Sequence, residues 1–246
     1  MTSKQFFLER IDPAAPQAWL EGAENHHLAR VARIKAGEEI WIFDRQGNRY
    51  RAEVEAVGKD RSRLRLVGPA AAADPGVEIT LGQALIKPGN MDLVVQKAAE
   101  LGVTVLVPLV TARSLHGQVG DVGKKVERWR KIALEAAKQS RRSAATAIEP
   151  FMPVEDFVRR GTDARKLYLS ESGGKLLREV LTGSGGPPAC PSSVVLLAGP
   201  EGGWTEAEGT MLKNTDFEAV SLGKTVLRAE TATIAAVGMI SHFWGG

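Results

Sequence analysis

From residue 77 onward the chain alternates short apolar runs with helical patterns, and few folds accommodate that alternation. The apolar runs are typical of strands buried on both faces of a parallel sheet; they read "VEITLGQALI", "VTVLVPLV", "KLYLS", "SVVLLAG" and "FEAVSL". Helical patterns separate them, among them the long amphipathic "DVGKKVERWRKIALEAAKQS" and the shorter "GKLLREVL". Repeated strand and helix units predict an α/β domain whose parallel sheet carries helices on both faces.

The first part of the chain has a different pattern. The stretches "EEIWIFD" and "RYRAEVEAV", joined by the turn "RQGN", predict strands of a small β-barrel, and "ENHHLARVARIKAGEE" predicts a short helix. Small residues and proline in "GPAAAADPG", residues 68 to 76, are typical of a linker. We therefore predict two domains: a β-barrel over residues 1–73 and the α/β domain over residues 74–246.

The composition of the chain excludes only a few classes of protein. The single cysteine, Cys190, cannot form an internal disulfide, and no run approaches the roughly 18 apolar residues of a membrane helix. The amino terminus has no signal-peptide pattern, so we expect a cytoplasmic protein with no membrane partner. His26 and His27 are adjacent and lack a third ligand, so we expect no metal. The net charge of +3 permits nucleic acid as a partner but does not require it.

Two groups of basic residues in the first domain suggest contacts with RNA phosphates. Arg61, Arg63 and Arg65 alternate along "RSRLRLV", so they share one face of the predicted strand. His26, Arg30 and Arg33 cluster on the exposed side of the predicted short helix. A solvated strand face that binds nothing is an equally good interpretation of the three alternating arginines.

Two glycine-bearing loops follow predicted strands, at the edge where parallel sheets bind ligands. They are "LAGPEGGWTEAE" and "SLGKTVLRAET". The second contains "GKT", but Glu218 stands where a phosphate loop needs its first glycine. In the first loop, Glu201 would repel a phosphate, and Thr205 with Glu208 predicts a capping box. The bare backbone around Gly202 therefore suits a neutral planar ligand such as adenine, which must approach closely.

These two loops together resemble those of the 16S ribosomal RNA uridine N3-methyltransferases, the small-subunit methyltransferase E family. That family belongs to the SPOUT class of knotted RNA methyltransferases, which use S-adenosyl-L-methionine. Two other stretches are similar to family segments, "IKPGNMDLVVQKAAELGVTVLVPLVTARS" and "RWRKIALEAAKQSRR". The stretch "HHLARVARIKAGEEIWIFD" is similar to the family's barrel domain, which is related to PUA modules. The resemblance spans nearly the whole chain; among its departures, Trp204 replaces a phenylalanine.

The resemblance implies a fold and a cofactor site. The fold would be a parallel-sheet SPOUT domain with a C-terminal trefoil knot, preceded by a small PUA-like β-barrel domain. The cofactor S-adenosyl-L-methionine would lie in the knot, close to the interface of a homodimer. By the resemblance, its site is lined by residues of the two loops and of the end of "KLYLS", namely Leu169, Ser170, Gly199, Glu201, Gly202, Gly203, Ser221, Leu222, Gly223, Val226 and Leu227.

The resemblance also implies the substrate, 16S ribosomal RNA in the small ribosomal subunit. Arg141 and Arg142 end the stretch "RWRKIALEAAKQSRR" and join the candidate RNA-binding residues. Methyl transfer to uridine N3 removes the imide proton and develops negative charge on the uracil oxygens. Arg228 is the candidate cation that stabilises this charge, although a structural salt bridge is an equal alternative. Glu230 is the candidate proton acceptor, although it could instead cap the last helix or pair with Arg228.

Two other functions remain open at this point. A SPOUT enzyme that methylates the ribose 2′-hydroxyl would share the cofactor loops and differ only in its acceptor. A ribosome-assembly protein that binds RNA without catalysis would keep the fold but would not need the cofactor site.

Overall fold

The structure is a computed structural model that describes residues 4–44, 48–69, 76–114, 121–140, 142, 144–171, 173–183 and 190–245. It consists of two compact units. One contains residues Met1–Ala73 together with Ala137–Ala145, and the other contains Asp74–Ala136 together with Thr146–Gly246.

The first unit is built on a five-stranded sheet with the order β1-β3-β4-β5-β2. Its strands are β1 (Gln5–Phe7), β2 (Gln17–Glu21), β3 (Glu39–Phe43), β4 (Arg49–Ala56) and β5 (Arg61–Pro69). The β1–β3 pair is parallel, and the other pairs are antiparallel. Alternate residues of β4 are buried, Ala52 and Val54 among them, because one face of the sheet covers a core of apolar side chains.

The short helix predicted in this unit begins as an α-helix and continues as a π-helix. Helix α1 (Gly22–His26) is followed by a π-helical turn over His27–Val31, in which the Ala32 N–H donates to the His27 carbonyl. Arg33 then takes a positive φ of 53°, which is rare for a residue with a side chain. The helix therefore ends at a tight reversal that leaves Arg30 and Arg33 exposed.

The second unit contains an eight-stranded sheet in which the pairs are parallel, and this confirms the predicted α/β class. Its strand order is β11-β13-β10-β12-β6-β7-β8, with β9 beside β7. The strands are β6 (Glu78–Ala84), β7 (Val105–Val110), β8 (Ala147–Ile148), β9 (Met152–Pro153), β10 (Arg165–Leu169), β11 (Lys175–Leu176), β12 (Ser193–Ala198) and β13 (Glu218–Ser221). The helices are α2 (Pro88–Glu100), α3 (Val122–Ser140), α4 (Val154–Val158), α5 (Leu177–Thr182), α6 (Glu206–Asn214) and α7 (Ala229–Trp244).

Both faces of this sheet are covered by helices, and the strand sequences show why. In β12, Val194 and Leu196 pack into a core with α2, α3, α5 and α7, while Val195 and Leu197 pack into a second core with α4 and α6. Successive residues of a strand point to opposite faces, so a strand covered on both sides must be apolar throughout. The uninterrupted apolar run of β12 follows from this placement.

The strand order brings three carboxyl ends together. Strand β10 lies between β12 and β13, and all three run in the same direction. The segments that leave these strands therefore emerge side by side at one edge of the sheet. Two of those segments are the glycine-bearing loops singled out in the sequence.

Candidate active site at the carboxyl edge of the parallel sheet

A cavity of about 630 Å³ opens at the edge where β10, β12 and β13 end. Its walls come from three segments, each at or just beyond the end of a strand: residues 168–171 of β10, residues 198–200 and 202–206 of β12, and residues 220–227 of β13. Side chains from α6 and α7, together with Arg113 after β7, complete the lining. The cavity is large enough for a ligand of drug size, and four glycines of the two loops line it.

The structure brings nearly all of the predicted cofactor residues to this cavity. They line it from all three walls and are Leu169, Ser170, Gly199, Gly202, Gly203, Ser221, Leu222, Gly223, Val226 and Leu227. Glu201 is the exception. Its carboxylate lies outside the lining and accepts a hydrogen bond of 3.1 Å from the Lys87 N–H, just before α2. Glu201 thereby holds the loop after β12 to the start of a helix.

Glycine is required at two positions of the lining for backbone reasons. Gly203 has a φ of +67° and Gly223 a φ of +131°, values that side chains rarely adopt. A Cβ atom built on either residue would meet no atom of the described residues within 4 Å. The sequence pointed to Gly202 for this role, but the positive φ lies one residue further on.

The loop after β12 is fixed to β10 through Trp204. Its indole Nε1–H donates a hydrogen bond of 2.9 Å to the carbonyl of Leu169, at the floor of the cavity. A Cβ on Gly199 would lie 3.2 Å from the same ring. A phenylalanine at this position would have no such donor, so this hydrogen bond depends on the indole of Trp204.

The predicted capping box at α6 is confirmed, and its glutamate does more than cap. The Thr205 hydroxyl accepts from the Glu208 N–H, and the Glu208 carboxylate accepts from the Thr205 N–H at 2.8 Å. The other carboxylate oxygen of Glu208 accepts a hydrogen bond of 2.8 Å from the Ala112 N–H. Glu208 is buried, so it ties the segment after β7 firmly to the loop after β12.

Arg113 is a cavity residue that the sequence analysis did not identify. Its Nη1 donates a hydrogen bond of 2.8 Å to the Gly202 carbonyl, and its aliphatic carbons lie beside Gly202. A signal was present, because "ARS" directly follows a buried strand at the ligand-binding edge. The proximity of Arg113 to Gly202 could not be read from residues 89 positions apart.

The two predicted catalytic residues lie next to the cavity rather than in its lining. Arg228 follows Leu227 and precedes α7; it is exposed, and it makes no ion pair with any described residue. Glu230, in the first turn of α7, is buried, and its Oε2 atom finds no hydrogen-bond partner within the described ranges. The alternative of an Arg228–Glu230 salt bridge is therefore absent from the described part of the chain.

The three alternating arginines share a face of β5, as predicted, but their charges have partners. Arg63 lies 2.8 Å from the Glu55 carboxylate, and Arg65 pairs with Glu53. The Arg61 guanidinium lies over the Trp19 ring at 4.3 Å from its centroid. Carboxylates of the neighbouring strand thus offset much of the positive potential of this face.

The other predicted RNA-binding residues differ in how accessible they are. His26, Arg30 and Arg33 are exposed, and neither arginine forms an ion pair or hydrogen bond through its side chain with a described residue. Arg142 is partly buried, and burial lowers the pKa of its guanidinium. Arg141 lies outside the described residues. The exposed arginines beside the π-helical turn are therefore the better candidates for phosphate contacts.

Two features of the described residues bear on other classes of function. In the ranges that the structure covers, no group of three or more His, Cys, Asp or Glu side chains is arranged to hold a metal ion. None of the helices seen there is both long and apolar enough to cross a membrane.

Comparisons with known proteins give the family. Residues 73–241 match the model of an RNA methyltransferase domain, and residues 20–67 match that of an RNA methyltransferase PUA domain. The chain is 31% identical to the ribosomal RNA small subunit methyltransferase E of Bacillus subtilis, with 93% of this chain and 91% of that protein aligned. It is 29% identical to the Mycobacterium bovis protein of the same name, with 99% and 94% aligned.

Solved structures agree with these relatives. A crystal structure of ribosomal RNA small subunit methyltransferase E from Neisseria gonorrhoeae, bound to S-adenosyl methionine, superposes with a TM-score of 0.86 at 28% identity, and 98% of each chain is covered. A Legionella pneumophila protein described as a methyltransferase, with the same cofactor bound, gives a TM-score of 0.83 at 28% identity with the same coverage. Since the family model spans most of the chain and the relatives align along nearly its full length, this chain belongs to the ribosomal RNA small subunit methyltransferase E family.

Proposed function

We propose that this protein transfers a methyl group from S-adenosyl-L-methionine to N3 of one specific uridine in the 16S ribosomal RNA of the small subunit, in the cytoplasm. The observation that carries the proposal is the cavity at the carboxyl edge of the sheet, which is lined by four glycines of the two loops, Gly199, Gly202, Gly203 and Gly223. Membership of the family and the cofactor-bound structures of its relatives from Neisseria gonorrhoeae and Legionella pneumophila support it.

The residues of the cavity fit such a cofactor. Gly203 and Gly223 leave open space where side chains would otherwise stand, and the remaining walls offer backbone N–H and C=O groups that can read the edge of an adenine. The segments 199–203, 221–223 and 226–227 would hold the cofactor, with Leu169 and Ser170 beneath it. When bound, the cofactor supplies a methyl group on a sulfonium for in-line displacement by a nucleophile.

The chain's own residues align the acceptor and stabilise charge. Enclosing both reactants in one cavity converts a bimolecular step into an effectively unimolecular one, which contributes several kcal/mol, up to roughly 7–11 kcal/mol in the best cases. Arg228 lies directly after the cavity wall with its charge unpaired among the described residues, so it is our candidate for stabilising the uracil oxygens. The burial of Glu230 outside the lining favours a role in the first turn of α7 over one as proton acceptor, so in this proposal the imide proton passes to solvent water while the methyl group is transferred.

The acceptor must reach the cavity unpaired. N3 lies on the Watson–Crick edge of uracil, so it is inaccessible within a base pair and becomes available in a single strand or after the nucleotide is splayed out. Whether the base or the ribose is methylated depends on which of the two faces the methyl group. In this proposal it is the Watson–Crick edge of the uracil.

Two finer features of the fold belong to the same proposal. We place the C-terminal trefoil knot at the segments after β12 and β13, which share one cavity with the end of the earlier strand β10.

We also propose a homodimer, because Val226 at the cavity and Phe243 on α7 are 73% and 48% exposed despite being apolar. Sedimentation of the purified protein measures its oligomeric state directly.

The function is tested on the RNA itself. N3-methyluridine blocks base pairing, so reverse transcription across 16S RNA stops at it. We expect one stop to be missing in cells that lack this protein and to return when the gene is restored. Mass spectrometry of digested RNA then separates a base methyl from a ribose methyl. A ribose methyl would establish the 2′-O-methyltransferase alternative, and an unchanged methylation pattern would leave the non-catalytic assembly protein.

The hydrogen bond of Trp204 gives a prediction about the cofactor. Trp204→Phe keeps an aromatic ring beside Gly199 but removes the donor to the Leu169 carbonyl. A hydrogen bond of this kind contributes about 1 kcal/mol, so we expect the dissociation constant of S-adenosylmethionine to rise about 3- to 10-fold by calorimetry. Trp244→Phe is the matched control, because the buried Trp244 Nε1 has no hydrogen-bond partner in the described chain. Equal affinities in the two variants would contradict the prediction.

The basic residues of the first unit give a prediction about RNA. We expect the double change of Arg30 and Arg33 to glutamine to flatten the salt dependence of RNA binding, by about 0.7 to 0.9 in slope for each phosphate that is no longer neutralised. The matched change of Arg63 and Arg65 to glutamine should alter the slope less, because both are paired with carboxylates. Filter binding to 30S subunits at several salt concentrations measures both. A larger effect from the Arg63 and Arg65 pair would restore the β5 face as the RNA surface.

A further inference from the structure

We infer that Arg113 recognises a phosphate of the RNA beside the target nucleotide while it holds the Gly202 loop in place, and this inference rests on the proposed function. Nothing in the sequence pattern had assigned Arg113 a role. Three observations support the inference. The backbone of Arg113 is fixed by hydrogen bonds, its guanidinium has N–H donors without a partner among the described residues, and its side chain is exposed at the cavity.

The backbone that carries Arg113 is held on both sides. The Ala112 N–H donates to the buried carboxylate of Glu208 at 2.8 Å. The side chain of Ser114 accepts from the Thr111 N–H and donates to the Thr111 carbonyl, both at 2.9 Å, so residues 111–114 form a closed turn. An arginine on such a turn loses little additional freedom when it binds a ligand.

Only one nitrogen of the Arg113 guanidinium donates a hydrogen bond to a described residue. Nη1 donates to the Gly202 carbonyl, and no ion pair with a carboxylate is formed by this side chain in the part of the chain described. A guanidinium has five N–H donors in a planar fork, so the remaining donors can bind an anion with two parallel hydrogen bonds. The contact with Gly202 fixes the plane of the fork relative to the loop after β12.

The position of Arg113 favours an anion of the RNA over the carboxylate of the cofactor. Arg113 is exposed, and it reaches the cavity from the segment after β7, apart from the three segments that carry the predicted cofactor residues. RNA carries a phosphate at every nucleotide, and the nucleotide must enter through the open side of the cavity. Lys213 and Lys224 also line it, together with Glu171 and Glu206, so the charged side chains of the lining, with Arg113, are three cations and two carboxylates and the balance is positive.

The test separates charge, fork geometry and cofactor binding. In Arg113→Ala, we expect the KM for 30S subunits lacking the methyl group to rise about 10- to 100-fold and the salt slope of RNA binding to fall by about 0.7 to 0.9. Arg113→Lys should keep the slope but recover only part of the KM, because an ammonium lacks the planar fork. The affinity for S-adenosylmethionine should change less than about 3-fold in both variants. Arg159→Ala, which removes an exposed arginine outside the cavity, should leave all three quantities unchanged.

Two outcomes would overturn the inference. If cofactor affinity falls in parallel with KM in both variants, Arg113 serves the cofactor or the shape of the Gly202 loop and does not contact RNA. If the salt slope is the same in Arg113→Ala as in the unchanged protein, the arginine makes no phosphate contact. Both measurements require that the unchanged protein methylates the 30S particles. If the unchanged protein gives no methylated product, the proposed function itself has failed, and this outcome is distinct from the two above.

Discussion

Replacing Arg228 with alanine is expected to lower the single-turnover rate of methylation by a factor of about 100 to 1,000 while the affinity for S-adenosylmethionine stays nearly constant. The reason is that charge on the uracil oxygens appears only as the imide loses its proton. A cation that stabilises this charge acts on the transition state, and the loss of one such group has an effect of this order. The Arg228 side chain is exposed and without an ion pair among the described residues, so it is available for that role.

The lysine variant sharpens this experiment. Arg228→Lys keeps the positive charge but cannot reproduce the planar fork, so we expect it to recover only part of the lost rate. Methylation of 30S particles by both variants, with calorimetric cofactor titrations in parallel, gives the two quantities. If Arg228→Ala loses cofactor affinity in proportion to its rate, the residue holds the segment before α7 in shape, and its catalytic role is excluded. The contrast with Arg113, whose loss should raise KM and flatten the salt slope, distinguishes a transition-state residue from a recognition residue.

Gly203→Val is expected to abolish binding of S-adenosylmethionine, with a dissociation constant at least about 100-fold higher. Two effects combine. A β-branched residue at a φ of +67° is strained by about 1–3 kcal/mol, and its side chain occupies space that the bare backbone leaves open beside the cavity. Calorimetry with S-adenosylmethionine and with ATP measures the effect and its specificity.

A matched control separates the loss of space beside the cavity from the backbone strain at a positive φ. Gly37→Val introduces the same side chain at another glycine with a positive φ, +87°, which belongs to the first unit and is not part of the cavity lining. Both variants should lower the unfolding temperature, but only Gly203→Val should lose the cofactor. Unchanged cofactor affinity in Gly203→Val, or tight binding of ATP by the unchanged protein without any response to the methyl donor, would rule out our interpretation of the glycine loop.

Much of the second unit could be predicted because its strands are buried on both faces. A run such as that of β12 must be apolar at every position, and this pattern identifies parallel strands and the edge at which their loops meet. The capping box of α6 could be predicted for a similar reason, since Thr205 and Glu208 interact over a fixed spacing. Local patterns of this kind locate a site to within a few residues.

Features that depend on tertiary pairing were missed. The sequence predicted a helix over "GKLLREVL", but Lys175 and Leu176 pair with β13 as β11 before α5 begins. The two-residue strands β8 and β9 were not predicted either, since their pairing with β7 rather than their own residues defines them. The same holds for Arg65, whose partner Glu53 is set by the register of β4 against β5. Such pairings become visible only when the strand order is known.

The order of the strands also determines when the binding site can form during synthesis. Strand β6 pairs with β7, which follows it closely, but its other neighbour is β12, where Glu78 aligns with Ser193. Until β12 leaves the ribosome, that side of β6 is an open edge with apolar residues on both faces, the kind of edge that pairs with other chains. Two of the three walls of the cavity lie after β12, at residues 199–206 (without Glu201) and 220–227, and the wall at residues 168–171 precedes it. A nascent or truncated chain that stops before β12 therefore has an aggregation-prone edge on β6, and one that stops before residue 220 lacks the third wall of the cavity.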